Sequence, residues 1–129
     1  MTLLLDTNIL VAAVTRDTER SEDAIELLNE VDDTYVSVLN LMELRTVLSK
    51  KKQFERDRIE QIENRITSRS SVTVLDASDI IRANQIQAET LLYPMDALIL
   101  AAAEALDATL VSFDTELVEH GAALPNEVA

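Results

Sequence analysis

The residues that this chain lacks exclude several kinds of chemistry. It has no cysteine, so it forms no disulfide and carries no thiolate metal ligand or cysteine nucleophile. Its single glycine, Gly121, leaves no glycine-rich loop for a nucleotide phosphate or a dinucleotide. Its single histidine, His120, lies close to the last residue, which disfavours a Ser-His-Asp triad. Any catalysis is therefore expected to depend on other polar residues.

Aromatic residues are also scarce, at 3%, whereas apolar residues make up 47% of the 129 residues. A chain of this length builds one core, and here that core must consist of Leu, Ile, Val and Ala. No charged-apolar-small pattern opens the chain, and no apolar run approaches the roughly 18 residues of a membrane helix. We expect one soluble, cytoplasmic domain over residues 1–129, with a tail that is loosely held from about residue 122.

Basic residues are few, and only three of the eleven are lysines, so the net charge is −13. So large an excess of acid repels itself in dilute salt. At molar salt the Debye length falls to roughly 3 Å and the repulsion is screened. The composition therefore favours a halophilic protein from a high-salt cytoplasm, and the alternative is a protein that binds a basic partner.

Apolar periodicity alternates between short strands and longer helices along the whole chain. Strands are predicted over 3–5, 34–38, 72–75 and 109–112, and the intervening segments have helical spacing. Ser21, Asn40 and Ser78 are expected as helix N-caps, and Pro94 suits a first helical turn. This alternation predicts an α/β three-layer sandwich with a mainly parallel central sheet flanked by helices.

Four acids stand at strand ends or in the first turn of a following helix: Asp6, Glu43, Asp96 and Asp114. In a parallel sheet such positions share one edge, where α/β proteins bind ligands. Each acid also has a structural interpretation as a turn or cap residue. That interpretation is strongest for Glu43, because Asn40 and Glu43 match a capping box. Asp76 and Asp79 are interpreted as turn and helix-dipole residues rather than site residues.

Carboxylates that share an edge repel one another unless a cation neutralises them. An oxygen-only set suits Mg²⁺ or Mn²⁺ rather than Zn²⁺. Such ions activate water and stabilise the leaving oxygen in phosphodiester cleavage. An aspartyl-phosphate enzyme would instead use Asp6 as nucleophile with a lysine after a later strand. The only lysines, at 50–52, end a predicted helix, which weakens that alternative.

The chain resembles the PIN-domain ribonucleases over nearly its whole length, and most of all the VapC-type toxins of toxin–antitoxin pairs. The resemblance is carried by four motifs: Leu5-Asp6-Thr7-Asn8-Ile9-Leu10, Leu41-Met42-Glu43-Leu44, Pro94-Met95-Asp96-Ala97-Leu98-Ile99 and Leu110-Val111-Ser112-Phe113-Asp114. It implies RNA cleavage with Mg²⁺ or Mn²⁺, a homodimer and inhibition by a cognate antitoxin.

The resemblance also implies roles for individual residues. Asp6, Glu43, Asp96 and Asp114 would be the catalytic, metal-binding acids, with Asn8 and Ser112 as polar supports. Glu116 stands near the place of a further acid found in many members, although Leu117 replaces the aromatic that follows it there. An alternative within the same fold is a catalytically weak RNA-binding or scaffold module, which the four intact acids disfavour.

Basic residues are concentrated in residues 45–69, which hold eight of the eleven together with four acids, a net charge of +4. One interpretation is a solvated helical hairpin. The other is a surface that steers RNA phosphates toward Glu43 through Arg45, Lys50, Lys51 and Lys52.

Overall fold

The computed structural model describes residues 1–16 and 18–128. Its centre is a parallel sheet in the order β3-β2-β1-β4. The strands are β1 Leu3–Leu5, β2 Thr34–Ser37, β3 Ser71–Thr73 and β4 Thr109–Val111. Val111, the last residue of β4, also forms an isolated parallel bridge with Ala123.

Helices connect the strands in chain order. They are α1 Thr7–Thr15, α2 Arg20–Glu30, α3 Val38–Thr46, α4 Arg56–Arg69, α5 Ala77–Thr90, α6 Pro94–Ala105, α7 Thr115–Glu119 and α8 Pro125–Val128. Helix α3 runs on into a π-helical turn, Val47–Lys51, in which the Lys52 N–H donates to the Val47 carbonyl at 3.0 Å. Among the described residues, no helix is both long and apolar enough to cross a membrane.

Helices cover both faces of the sheet, because consecutive strand side chains point to opposite sides. Leu3 and Leu5 pack with residues of α1 to α4, whereas Leu4 packs with residues of α5, α6 and α7. All three leucines are fully buried. The predicted three-layer α/β sandwich with a parallel sheet is therefore confirmed.

Three predicted N-caps are wrong, and each has a local reason. Helix α2 begins one residue before Ser21, whose N–H already closes a turn onto the Thr18 carbonyl. Helix α3 follows β2 without a loop, so Ser37 is the cap and Asn40 lies inside the first turn. Helix α5 is capped by Asp76 rather than Ser78.

Asp76 and Asp79 form a capping box at α5, in which each side chain accepts the backbone N–H of the other residue. Both carboxylates are thereby used by the helix terminus, which agrees with their interpretation as structural residues. Pro94 occupies the first turn of α6, as its spacing predicts.

The segment after residue 122 packs against the body of the domain, in contrast to the loosely held tail expected from the sequence. The Ala123 N–H donates to the Leu110 carbonyl at 2.8 Å, and the Ala123 carbonyl accepts the Ser112 N–H at 3.0 Å. Pro125 is buried, and Val128 packs on the core beside α2. Residues 122–129 are too few to give a periodic apolar signal from which this packing was predictable.

Candidate active site

A cleft of about 610 Å³ opens at the carboxyl ends of the central strands. Asp6, Glu43, Asp96 and Asp114 all line it, so the structure brings the four predicted acids together. A second cavity, of about 230 Å³ between α1, α2 and α4, is lined mainly by aliphatic side chains, and among the described residues Asp32 is its one carboxylate. Carboxylate chemistry is therefore concentrated in the larger cleft.

Asp6 is the most deeply held of these acids, with 9% of its surface exposed. It caps α1, and its Oδ1 accepts the Thr7 N–H at 2.9 Å. Its Oδ2 accepts the Ser112 hydroxyl at 2.7 Å. Because both oxygens accept hydrogen bonds, the carboxylate is fixed in one orientation at the end of β1.

Ser112 is the residue that joins β1 and β4 at the site. Its hydroxyl is fully buried, donates to Asp6 and accepts from the Asn8 side-chain amide at 3.1 Å and the Asp114 N–H at 3.0 Å. One donor and two acceptor positions are thus all used. Asn8 completes the connection through its Oδ1, which accepts the Phe113 N–H at 3.1 Å.

Asn40 is a second buried amide that the sequence analysis did not assign to the site. Its Nδ2 donates to the Thr7 hydroxyl at 3.0 Å and to Asp6 Oδ1 at 3.4 Å. The residue is fully buried, and within the described residues its Oδ1 has no hydrogen-bond partner. A polar residue in the apolar run Val38-Leu39-Asn40-Leu41 was the available signal, but it was interpreted as an N-cap.

Burial and mutual repulsion raise the pKa of two of the acids. Burial raises the pKa of Asp6, the hydrogen bonds from Ser112 and Thr7 lower it, and nearby Glu43 and Asp114 raise it, with a net upward direction. Burial raises the pKa of Asp96 to about 6, with repulsion from Asp114, Asp6, Glu116 and Glu43 acting in the same direction. The four acids therefore act on one another electrostatically.

The remaining predicted acids differ in exposure. Glu43 lies on α3 with an exposed side chain, whereas Asp114 is half-buried and caps α7 by accepting the Glu116 N–H at 2.9 Å. Glu116 is half-buried in the first turn of α7 and raises the pKa of Asp96, which places its charge near the cleft.

Three basic residues line the same cleft: Arg20, Lys51 and Lys52. Lys50 and Arg45 do not line it, and Arg45 forms an ion pair with Glu63. The π-helical turn at Val47–Lys51 shifts the side chains that follow it relative to an α-helical continuation, and such turns occur often at functional sites. Arg20 was missed because it lies in a charged connection with no motif around it.

The donor chemistry of the cleft fits Mg²⁺ or Mn²⁺, since its acidic ligands are all oxygens. Within residues 1–16 and 18–128, no three acidic or histidine side chains are gathered closely enough to enclose a metal ion by themselves. Mg²⁺ needs only one or two carboxylates, because it keeps several water ligands and takes others from phosphate groups. Burial first, and then the neighbouring carboxylates, raise the pKa of Asp6 and of Asp96, and a bound cation would favour the charged form of both.

A protein-family model described as "PIN domain" matches residues 3–122. A search of curated proteins finds no match. Among solved structures, the chain is similar to a toxin–antitoxin complex from Klebsiella pneumoniae, with 24% identity over 96% of this chain and 98% of that chain and a TM-score of 0.77. It is also similar to VapC20 from Mycobacterium tuberculosis, described as a sarcin–ricin loop cleaving toxin, with 18% identity over 95% and 97% of the two chains and a TM-score of 0.80.

VapBC2 from Rickettsia felis, solved with a DNA fragment from its promoter, has 24% identity over 92% of each chain and a TM-score of 0.73. At these identities the likeness shows a shared fold over nearly the whole length of each chain.

Proposed function

Because this chain belongs to the PIN-domain family, we propose that it is a metal-dependent endoribonuclease that hydrolyses RNA phosphodiester bonds, as the toxin of a toxin–antitoxin pair. The observation that carries the proposal is the convergence of Asp6, Glu43, Asp96 and Asp114 on one cleft. Among the described residues, the cavity between α1, α2 and α4 has a single carboxylate, that of Asp32.

We propose that these four carboxylates form the metal site, one or two binding the ion directly and the others through its water ligands, with Asp6 as the most rigidly oriented of them. A bound Mg²⁺ or Mn²⁺ would lower the pKa of water at the site and offset negative charge on the phosphate and the leaving oxygen. Ser112 orients Asp6 and the start of the segment that carries Asp114, and Asn8 holds the backbone between them. Preorganised supports of this kind remove the need to reorganise the ligands during reaction.

The raised pKa of Asp96 has a consequence for the reaction. A carboxyl with a pKa of about 6 is partly protonated near neutral pH in the metal-free protein and must lose its proton to serve as a ligand. Metal binding therefore releases protons, and we expect both metal affinity and cleavage to increase from pH 5 to pH 8.

Lys51 and Lys52 are proposed to contact RNA phosphates, since they line the cleft with the acids. Phosphate contacts orient a strand without reading its sequence. Of the four basic residues that the sequence suggested for RNA binding, we keep Lys51 and Lys52. Arg45 is paired with Glu63, and Lys50 does not line the cleft. Glu116 remains a proposed extra acid, acting on Asp96 through its charge.

The toxin assignment draws support from the structures to which the chain is similar. Two of them are described as a toxin–antitoxin complex and a sarcin–ricin loop cleaving toxin. By analogy we propose that this chain forms a homodimer and is inhibited by a cognate antitoxin that covers the acidic cleft with a basic segment. Co-expression with the neighbouring genes should yield a stable complex that cleaves no RNA, and full activity of a chain that co-purifies with nothing would contradict this part.

The aspartyl-phosphate alternative is disfavoured because it would use a lysine placed after a later strand. The chain's lysines, at 50–52, instead end the helical segment that follows β2. A catalytically weak RNA-binding or scaffold module would have the same fold. Only a measurement of RNA cleavage distinguishes it from the nuclease.

The test is cleavage of fluorescently labelled RNA in a KCl series, with Mg²⁺, with Mn²⁺ and with excess EDTA. We expect cleavage with either metal, activity that survives molar KCl, and none with EDTA. Asp96→Asn keeps the shape and removes the charge, so it should abolish cleavage, while Asp76→Asn at the α5 cap is the matched control that should cut normally. Cleavage in EDTA, or by Asp96→Asn at the wild-type rate, would refute the mechanism; binding without any cleavage would favour the scaffold module.

A further inference from the structure

An arginine held on an aromatic ring lies at the edge of the acidic cleft. Arg20 is the first residue of α2 and lines the cleft, and its guanidinium carbon lies 5.0 Å from the centroid of the Phe113 ring. At this distance the ring attracts the cation through its quadrupole. The pair thus links the start of α2 to the loop between β4 and α7.

The ring itself has a fixed position. Phe113 lies between Ser112 and Asp114, its N–H donates to Asn8 Oδ1 at 3.1 Å, and its side chain packs against the core cluster that includes Leu5 and Val111. The residue that supports Arg20 is therefore part of the same hydrogen-bonded segment that orients Asp6 and Asp114. A group that Arg20 binds in the cleft would therefore be held at a fixed position relative to Asp6 and Asp114.

Arg20 differs from several other arginines in how its charge is used. Arg45, Arg56 and Arg82 form ion pairs with Glu63, Glu60 and Glu104. Within residues 1–16 and 18–128, by contrast, no carboxylate forms an ion pair with Arg20 in the structure. A ring supports the guanidinium without occupying its N–H donors, so these stay available to a ligand in the cleft.

We propose that Arg20 binds a backbone phosphate of the RNA next to the cleaved bond, with Phe113 as the residue that positions it. This inference rests on the proposed function and deepens it by naming a substrate contact. A planar guanidinium matches phosphate oxygens with two parallel hydrogen bonds. The need for such a contact follows from charge, because a protein of net charge −13 must hold a polyanion beside four acids.

The chain contains a matched control for this pair. Arg58 lies over the Phe54 ring, with the guanidinium carbon 3.8 Å from the centroid, and neither residue lines the cleft. Arg20→Gln and Arg58→Gln remove the same charge and the same type of ring contact. Only the first change removes a cation from the cleft.

The experiment measures binding of fluorescein-labelled single-stranded RNA by anisotropy in EDTA from 0.1 to 1 M KCl, and cleavage kinetics with Mg²⁺. Arg20→Gln should weaken binding about tenfold at low salt. It should reduce the slope of log Kd against log salt by about 0.7, the value for one phosphate contact on a single strand. KM should rise by a similar factor with kcat nearly unchanged.

Arg20→Lys should restore the salt slope but not the full affinity, because lysine carries the same charge but cannot make the two parallel hydrogen bonds of a guanidinium. Phe113→Leu should weaken binding and keep the slope, since the charge remains but is no longer held. Arg58→Gln should behave as the wild type does.

The outcomes separate this inference from the proposed function. If the wild type binds and cleaves RNA while Arg20→Gln and Arg58→Gln change the salt slope equally or not at all, the Arg20 contact is refuted and the nuclease assignment stands. If the wild type itself neither binds nor cleaves RNA, the proposed function fails, and the contact fails with it.

Discussion

Removing the charge of Asp96 should stabilise the metal-free protein while abolishing its activity. Burial and neighbouring carboxylates raise the pKa of this acid from 3.8 to about 6, so its proton is lost more easily in the unfolded chain. The wild type therefore loses stability as the pH rises through this range, and the penalty is complete above about pH 6. Two pKa units correspond to about 3 kcal/mol. Solvent screening of a half-buried side chain reduces this to about 1 kcal/mol.

The assay is thermal unfolding of the wild type and Asp96→Asn in EDTA at pH 8.0 and pH 5.0, the lower value staying above the isoelectric point of about 4.3. At pH 8.0 the variant should unfold about 3 to 5 °C higher. At pH 5.0 about half of that advantage should remain, because the folded carboxyl is then largely protonated.

Saturating Mg²⁺ should raise the wild-type midpoint and have a smaller effect on the variant. Asp76→Asn should change the unfolding temperature in the opposite direction. Hydrogen bonds from Ser78 and Asp79 lower the pKa of Asp76, so the folded protein favours its charged form. Its midpoint should fall or stay constant. An Asp96→Asn protein less stable than the wild type at pH 8.0, or equally altered at both pH values, would refute the repulsion argument.

Three further changes test the supports and the basic edge of the cleft. Ser112→Ala leaves the donors of Asn8 and Asp114 unpaired, so we expect the free energy of unfolding in urea to fall by about 1–3 kcal/mol and the cleavage rate of the folded protein to fall 10- to 100-fold. Wild-type values for both would contradict the role of Ser112 in orienting the acids. Asn40→Asp adds a fully buried acid and should destabilise the protein more at pH 8.0 than at pH 5.0 by thermal melting, whereas a pH-independent loss would indicate packing alone. Lys51→Gln with Lys52→Gln should reduce the RNA salt slope by about 1.4, and Lys50→Gln should not; equal effects would make the segment an ordinary basic surface.

The acids were predictable from sequence because strand ends in a parallel sheet share an edge. Asp6 directly follows Leu3–Leu5, and Asp114 follows β4 after two residues, so strand recognition was enough to bring both to one place. Asp96 was found from the helix-start proline before it. The roles of these residues as metal ligands came from the family resemblance, and they stay predictions until a metal is observed.

The supports were less predictable because they depend on where an element starts. Asn40 has the local sequence features of an N-cap. Because β2 leads into α3 without a loop, Ser37 is the cap, and Asn40 lies inside the first turn, where its side chain donates to Asp6. Arg20 reaches the cleft only through the packing of α2 beside the β4–α7 loop, a contact between residues more than ninety positions apart. Local patterns contain no information about such distant pairs.

The most direct test of the central claim is the anomalous diffraction of crystals soaked in Mn²⁺. We predict a Mn²⁺ peak in the cleft, about 2.1 Å from an oxygen of at least one of Asp6, Glu43, Asp96 and Asp114, with water completing the coordination. The same peak should be absent from crystals of Asp96→Asn. A saturating soak that leaves the cleft without a peak, while Mn²⁺ binds elsewhere on the chain, would contradict the assignment of these carboxylates as the catalytic metal site.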